Sequence, residues 1–424
     1  MKLSEIIDVF IAGDWGNESP SLEAPHAVSC VRGADIVPIS NNEFTNIPLR
    51  YVSDRSFQQK LLKVGDIVIE KSGGSPTQST GRAIYISEKL LSASTDVVCS
   101  NFCVAFRVKD GWNSYFIYQY WQYLYNSGVF FNFEGKTSGI KNLQLDIALS
   151  TIEIEPYPIE KQIAIVNCLE AFEDKIALNR SINHNLEAMA KQLYDYWFVQ
   201  FDFPDENGKP YKSNGGEMIY SDALKKYIPK GWTYSPLRVL VDLEDFKRIP
   251  LSNAQRVERK GEFPYYGATG IMDYIDEFIF DYDILLLAED GSTSDSNGFP
   301  VVQYVWGEVW VNNHAHIILP KDRAHLIYTY FLLKSIPVKM IETGSIQKKI
   351  SQENLLGYKA INVPKQLIDI YTERIKPMWE QKKLATEEII QLTKQRDELL
   401  PLLMNGQIKV GVERSRLNYD LSHN

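Results

Sequence analysis

The chain has 424 residues, of which 44% are apolar and 23% charged, a composition that suits two or more globular domains. Its 45 lysines and arginines against 54 aspartates and glutamates give a net charge of −9, which argues against unspecific polyanion binding by the whole surface and leaves open a local basic face. The sequence holds no run of about 18 apolar residues, so we expect no membrane span. Its four cysteines are too few for a disulfide scaffold, so we expect a reducing, cytoplasmic location.

Residues 1–157 alternate strand-like runs with turns and close on short helical pieces. The segment KVGDIVIEKSGGSP at 63–76 predicts a strand that ends in a glycine-rich loop, and VVCSNFCVAFRV at 97–108 predicts an alternating strand. The aromatic run at 115–128 predicts a helix that ends at Gly128. We therefore assign 1–157 to one mixed, β-rich domain with short helices.

A long helix is predicted for 158–200, beginning at Pro158, where the fixed φ suits a first helical turn. Apolar residues recur along it at a spacing of about 3.5, which is typical of a helix that packs on a partner helix. The alternative is an ordinary long core helix. The packing stripe comprises Leu169, Phe172, Ile176, Leu186, Leu193 and Trp197.

A connector at 201–235, rich in glycine, proline and charge, separates this helix from a second globular stretch at 236–363. There the same order of features returns: a strand with a glycine-rich loop at 280–293, a strand at 311–322 and an aromatic helix at 325–337. This recurrence indicates an internal two-fold repeat.

The second long helix is predicted at 364–405 and begins at Pro364. It repeats the packing stripe of the first helix at the offset of 206 residues that separates Pro158 from Pro364. Two matched runs favour a pair of helices that pack on each other. The polar segment 406–424 is predicted to be a mobile tail. The second stripe comprises Ile375, Met378, Ile389, Leu392, Leu399 and Leu403.

Catalytic motifs are absent from the sequence. It contains no Gly-x4-Gly-Lys-Ser/Thr loop, no Gly-x-Gly-x-x-Gly and no Asp/Asn-Pro-Pro-Tyr/Phe tetrapeptide of the amino-methyltransferase type. His314 and His316 alternate along a strand and would share a face, but no carboxylate or cysteine is near them in register, so no metal site is expected. The prediction is a non-catalytic chain.

Glycine- and serine-rich loops follow the matched strands, and a second pair of polar turns precedes the long helices. Small residues allow close approach to a phosphate backbone, and hydroxyl and amide groups can bond phosphates or base edges. Such stretches taken alone are ordinary turns, but their recurrence at matched places favours a shared DNA-binding surface. The candidate DNA-binding residues in these loops are Lys71, Ser72, Gly73, Gly74, Ser75, Thr77, Arg82, Lys136, Thr137, Ser138, Lys141, Gly291, Ser292, Thr293, Ser345, Gln347, Lys348 and Lys349.

A cluster of basic residues between 247 and 260 is interleaved with a single acid, Glu258. It is a candidate for contacting DNA phosphates, with a solvated charged face as the alternative. The cluster comprises Lys247, Arg248, Arg256, Arg259 and Lys260.

Several segments together resemble the DNA-specificity (S) subunit of type I restriction–modification enzymes, over nearly the whole chain. The first recognition half, from about residue 13 to 158, departs most from the family pattern. The segments that carry the resemblance are the connector FDFPDENGKPYKSNGG, the following IPKGW, FPYYGATGIMDYID at 263–276, LLLAEDGS at 285–292, and the helices ending LYDYWF and ELLPLLMNGQI.

This resemblance implies an α+β fold with two tandem target-recognition domains, joined by two long helices that form an antiparallel coiled-coil spacer. Each domain is expected to read one half of a bipartite site in double-stranded DNA, with the helices setting the unread gap. The expected partners are two modification (methyltransferase) subunits and restriction (translocase and nuclease) subunits. S-adenosylmethionine, ATP and Mg are expected on those partners, with no cofactor in this chain.

Two other functions remain open at this point. One is an interaction scaffold, in which a coiled coil presents two modules that bind peptides or glycans, and the net charge of −9 favours it mildly. The other is the targeting subunit of a related restriction system that cuts outside its site.

Overall fold

The computed structural model describes residues 1–73, 78–137, 140–344 and 348–408. These residues form two compact units. Unit 1 contains 1–181 and 386–408, and unit 2 contains Ile182–Ala385, so each unit takes part of both long helices. Within the described residues, no helix is both long enough and apolar enough to cross a membrane.

Unit 1 combines short strands with mostly short helices. Its strands are β1 (Ile7–Ala12), β2 (His26–Val31), β3 (Leu49–Val52), β4 (Ile67–Glu70), β5 (Ser72–Gly73), β6 (Ala83–Tyr85), β7 (Val97–Cys99), β8 (Cys103–Val108), β9 (Glu134–Thr137) and β10 (Ile140–Leu143). Its helices are α1 (Ile36–Ser40), α2 (Asp54–Lys60), α3 (Glu88–Ala93), α4 (Ser114–Asn126), α5 (Leu145–Thr151) and the first part of α6 (Ile159–Tyr194).

Unit 2 has a similar mixture of elements. Its strands are β11 (Met218–Ser221), β12 (Lys226–Pro229), β13 (Thr233–Pro236), β14 (Val241–Leu243), β15 (Lys260–Tyr266), β16 (Ile271–Ile275), β17 (Ile284–Ala288), β18 (Val302–Val305), β19 (Trp310–Val311), β20 (Ala315–Pro320), β21 (Glu342–Thr343), β22 (Lys349–Ile350) and β23 (Lys359–Asn362). Its helices are α7 (Asn253–Glu258), α8 (Leu326–Lys334), α9 (Gln352–Gly357) and the first part of α10 (Lys365–Met404).

The two units share one sheet topology, which confirms the predicted two-fold repeat. The main sheet has the order β1-β8-β4-β6 in unit 1 and β14-β20-β17-β18 in unit 2, with every neighbouring pair antiparallel. A second sheet has the order β3-β2-β7 in unit 1 and β16-β15-β19 in unit 2. In both units its central strand pairs antiparallel with one neighbour and parallel with the other.

The central strands β4 and β17 carry the core because every residue in them is buried. Their continuous apolar sequences, IVI in β4 and ILLLA in β17, suit strands that are covered on both faces. The aromatic helix α4 packs on the main sheet, with Phe116 and Trp121 in one buried cluster with Ile67 and Ala83, and the Trp121 indole donates a hydrogen bond of 2.7 Å to the Gly81 carbonyl. Its end follows the sequence prediction, since Gly128 adopts a left-handed φ of 72° just beyond it.

Segments of the two long helices run antiparallel in each unit. In unit 1, Glu173 pairs with Arg396 at 2.6 Å, and Asn179, about 1.7 turns further along α6, donates to Glu388 at 2.7 Å. In unit 2, Glu187 pairs with Lys382 at 2.9 Å, and the Ala190 carbonyl accepts from the Tyr371 hydroxyl at 3.0 Å. A π-helical turn, Asp195–Val199, follows α6 inside the range 158–200 that the sequence assigned to the helix.

Glu187 is a half-buried charge on α6 in unit 2. Its carboxylate also accepts hydrogen bonds from Tyr330 at 2.7 Å and Lys334 at 2.8 Å. Burial acts to raise the pKa of Glu187, but Lys382 and Lys334 outweigh it and lower the pKa to about 2. The carboxylate therefore stays ionised and paired inside the helix interface.

Every residue of the predicted packing stripes is buried or half-buried. The buried members are Leu169, Ile176, Trp197, Ile375 and Leu403, and the half-buried ones are Phe172, Leu186, Leu193, Met378, Ile389, Leu392 and Leu399.

A connector rich in glycine, proline and charge is expected to run over the surface, but three aromatic residues of this one are buried. Phe201, Phe203 and Trp232 are buried, and the Phe203 and Trp232 rings stack with centroids 5.0 Å apart. These are the aromatic residues of the FDFP and IPKGW motifs, so both motifs serve the core of unit 2. Of the tail predicted for 406–424, residues 409–424 lie outside the described residues.

Stability depends on the inner face of the long helices. Replacing Ile176, which is 1% exposed, with aspartate places an unpaired charge in the core of unit 1 and should lower the free energy of unfolding by about 3 kcal/mol or more. The matched change Leu178→Asp, at a side chain that is 54% exposed, should alter it by no more than about 0.5 kcal/mol. Urea unfolding checks both, and equal losses would contradict the assignment of the two faces.

Candidate nucleic-acid interface

The structure joins each glycine-rich loop to the polar turn that the sequence predicted as its companion. In unit 1, Ser72 and Gly73 pair with Asn142 and Lys141, so β5 becomes the edge of a sheet with β10 and β9. The Leu143 amide also donates to the Lys71 carbonyl at 2.8 Å. The two candidate loops of unit 1 therefore form one surface.

Gly73 is required at its position for a local reason. Its φ is 145°, and a Cβ there would lie 2.8 Å from Oε1 of Glu70. That carboxylate is buried and receives a two-pronged hydrogen bond from Arg82, at 2.8 and 2.7 Å. Arg82 thus holds the base of the loop, whereas Lys71 is exposed and makes no ion pair among the described residues.

Lys141 and Glu134 fix the hairpin beside this loop. Glu134 accepts from the Thr80 amide at 2.7 Å and lies 3.2 Å from Lys141. Burial acts to raise the pKa of Glu134, but these hydrogen bonds outweigh it, so the net pKa lies below the ordinary value. Gly74, Ser75, Thr77 and Ser138, and the side chains of Lys136 and Thr137, lie outside the described residues.

Unit 2 repeats this arrangement. The backbones of Asp290 and Lys349 form an isolated antiparallel β-bridge, and the Ile350 amide donates to the Glu289 carbonyl at 2.8 Å. These bonds join the loop after β17 to the β21–β22 hairpin. Thr293 is buried and hydrogen-bonds Glu342, the acid that also pairs with Lys348 at 3.3 Å. Gly291 has a φ of 72° and is exposed, as is Ser292, while Ser345 and Gln347 lie outside the described residues.

A buried ionic network behind this loop was not foreseen from the sequence. His316 Nδ1 lies 2.6 Å from Asp245, and its Nε2 lies 2.8 Å from the Ile350 carbonyl. Glu289 lies 3.7 Å from the same ring and receives a hydrogen bond of 2.7 Å from Arg248. The sequence shows no carboxylate in register with His316, and the fold supplies Asp245 and Glu289 from other segments of the chain. His314, two residues earlier, hydrogen-bonds a different acid, Asp290.

This geometry favours a charged histidine. Both ring nitrogens of His316 face acceptors, which only the doubly protonated ring satisfies. Burial acts to lower the pKa of His316, but the hydrogen bond and charge of Asp245 outweigh it, so the net pKa is raised. For Asp245, burial acts to raise the pKa, while His316 lowers it below the ordinary value.

The same cluster is also the one place in the described residues where three metal-binding side chains converge, since ligand atoms of Asp245, Glu289 and His316 lie within 4.8 Å of one another. Arg248 already sits among them, 2.7 Å from Glu289 and 3.4 Å from Asp245, and Lys349 lies 2.9 Å from Glu289. The negative charge is therefore offset by side chains, and the cluster acts as an ionic support for the loop.

The basic cluster at 247–260 is paired with acids from other segments. Lys247 bonds Glu244 and Tyr282, both at 2.9 Å. Arg256 and Lys260 share Asp273, and Arg259 binds Asp276 at 2.9 Å and Glu277 at 2.7 Å. The interval 247–260 itself contains one acid, Glu258, so the sequence does not reveal these partners. The fold brings them from other segments. Phosphate contact by the cluster stays a prediction.

A family model described as the type I restriction modification DNA specificity domain matches residues 33–188 and 229–369, more than half of the chain. The chain belongs to this family. The two matched stretches fall on the two copies of the repeat, and the family predicted from the sequence is confirmed.

Named relatives are specificity subunits. The chain is 26% identical over 402 residues to the type I restriction enzyme MjaIX specificity subunit of Methanocaldococcus jannaschii, covering 89% of this chain and 88% of that protein. It is 29% identical over 143 residues to a putative type I restriction enzyme specificity subunit, S.HindORF215P, of Haemophilus influenzae, covering 34% and 35%.

The fold is similar to a crystal structure of the S subunit of a type I restriction–modification system from M. genitalium. The TM-score is 0.50 at 15% sequence identity, with 95% of each chain covered. This similarity supports the predicted fold class of two tandem α+β domains with long helices.

The buried network of this family member should make its stability depend on pH. Because the pKa of His316 is raised on folding, its contribution is fully present below the unfolded value of about 6.5 and is lost as pH rises through the folded pKa. The difference in the free energy of unfolding between wild type and His316→Gln should therefore shrink as the pH rises above about 6.5.

Urea unfolding across this pH range measures the effect. His184→Gln, at an exposed histidine on α6, is the matched control and should leave the pH dependence unchanged. A wild-type advantage that stays constant with pH would contradict the charged state of His316.

Proposed function

We propose that this chain is the DNA-specificity subunit of a type I restriction–modification complex, in which each unit reads one half of a bipartite site in double-stranded DNA. The observation that supports this most is the doubled sheet topology within the family match. Two copies of one framework with different loop side chains suit two different half-sites. At the loop position where unit 1 has the exposed Lys71, unit 2 has the paired Glu289.

We propose that the chemistry of the complex resides in partner subunits. Two modification subunits would bind S-adenosylmethionine and transfer the methyl group, and restriction subunits would use ATP and Mg for translocation and cleavage. This chain contributes recognition alone and has no cofactor of its own. The pairing of its basic cluster with acids and its net charge of −9 support weak DNA binding by the isolated chain.

The outer faces of the long helices are the proposed docking surface for the modification subunits. On α6, Leu178 is 54% and Met189 51% exposed, and on α10, Leu384 is 66% and Ile390 52% exposed. Exposed large apolar side chains on helices whose inner faces are already packed suit contact with another protein.

Exchange of one recognition unit tests the proposed recognition function. Replacing residues 1–157 with the corresponding segment of a relative should change one half of the methylated motif and leave the other half and the gap intact. The reason is that the sheets and loops of 1–157 belong to unit 1. Methylation-sensitive sequencing of host DNA reads the result, and a change in both halves would contradict two independent reading units.

Docking is tested on the outer helix face. Leu178→Asp and Leu384→Asp should leave the fold intact and weaken assembly with the modification subunits at least tenfold, because each places a charge in an apolar contact. Asn167→Asp adds the same charge at an exposed polar position of α6 and should assemble normally. Sedimentation of the mixed subunits measures assembly, and wild-type assembly of both leucine variants would exclude this surface.

A further inference from the structure

The two units contain the same three-residue turn between a strand of the second sheet and a strand of the main sheet. In unit 1 it is Ser100, Asn101 and Phe102, between β7 and β8. In unit 2 it is Asn312, Asn313 and His314, between β19 and β20. Each turn thus has a polar residue, an asparagine and an aromatic ring, in that order.

Matching backbone hydrogen bonds hold both turns. The first residue of the turn donates to the last residue of the neighbouring central strand, from Ser100 to Val31 at 2.8 Å and from Asn312 to Tyr266 at 3.0 Å. The aromatic residue accepts from the glycine-rich loop. The Phe102 carbonyl accepts from the Lys71 amide, and the His314 carbonyl from the Glu289 amide, both at 2.8 Å.

These bonds use the backbone and leave the side chains of the last two turn residues at the surface. Ser100 and Asn312 are buried, while Asn101 and Asn313 are exposed. Neither exposed amide has a side-chain hydrogen bond to any residue that the structure describes.

The rings beside these amides are exposed as well. Phe102 is 57% exposed, and the His314 side chain is 48% exposed with Nδ1 held 2.8 Å from Asp290. In unit 2 the turn is further held by Arg248, which donates to the Asn313 carbonyl at 3.4 Å and to the Ala315 carbonyl just after the turn at 2.9 Å. Both turns therefore present an unused amide and an aromatic ring from a fixed backbone, beside the candidate loops.

We propose that these two turns are equivalent base-reading elements, with Asn101 and Phe102 contacting one half-site and Asn313 and His314 the other. This inference rests on the proposed function and assigns residues to it. An asparagine amide is both donor and acceptor and matches the N6 and N7 edge of adenine through two hydrogen bonds. Phe102 offers an apolar contact to a thymine methyl group, whereas His314 offers a polar ring nitrogen, so the two turns read different neighbours.

The experiment uses the complex of the chain with its modification subunits and a duplex DNA library with a randomised centre. Wild type should enrich a bipartite motif. Asn101→Ala should abolish the preference for adenine at one position in the half-site read by unit 1. It should also weaken binding to the wild-type motif roughly 5- to 150-fold. Asn313→Ala should do the same in the other half-site only, so each variant is the control for the other.

Phe102→Ala should weaken the base preference in the half-site read by unit 1 without altering the preference in the half-site read by unit 2. Asn207→Ala changes an exposed asparagine of the connector and should select the wild-type motif with wild-type affinity. Because the substituted side chains are exposed, the unfolding midpoints of all variants should match wild type.

Different outcomes would contradict the base-reading role of the turns and the proposed function of the chain. If wild type enriches a motif and both asparagine variants select that motif with unchanged affinity, the base-reading turns are overturned while the proposed function stands. If Asn101→Ala relaxes the half-site of unit 2, the assignment of turns to half-sites is wrong. If wild type enriches no motif, the proposed function itself fails.

Discussion

Burial of one central strand in each unit is the constraint on which the rest of the structure depends. β4 and β17 lie between two antiparallel neighbours and expose no residue, so backbone ladders hold each strand on both edges and apolar burial holds it on both faces. Each fully buried aliphatic side chain in them contributes about 1.5–3 kcal/mol. The loops that leave these strands are therefore held at defined places, although their own residues are small and polar.

Charge pairing within the fold reconciles an acidic chain with a DNA-reading role. The cations at 247–260 bond acids on β16, after β16 and in the preceding turn, and Arg248 completes a buried network with Asp245 and Glu289. Fixed ion pairs of this kind shape loops and contribute little net attraction for phosphates. The proposed function therefore relies less on overall charge than on groups that have no ion pair or side-chain hydrogen bond among the described residues, such as Lys71 and the exposed asparagines.

The long helices combine two surfaces that differ in burial. Their inner stripe is buried against the partner helix and the unit cores, with charged residues such as Glu187 paired inside it. Their outer face keeps some leucines and isoleucines exposed, among them Leu178, Leu384 and Ile390. A helix can carry both kinds of surface because its period of 3.6 residues places them on different faces.

The sequence by itself determined the features that depend on local order: the repeat, the strand and loop sequence in each copy, both long helices, the burial of their stripes and the end of α4 at Gly128. These follow from periodicity and from single-residue conformational preferences. Only the tertiary structure decided which loops join, which acids neutralise the basic cluster, and that Asn101, Phe102, Asn313 and His314 stay exposed. His316 and Asp245 are 71 positions apart, so no local pattern predicts their bond. It forms because the buried sheet brings their strand and turn together, and a buried charge needs a partner.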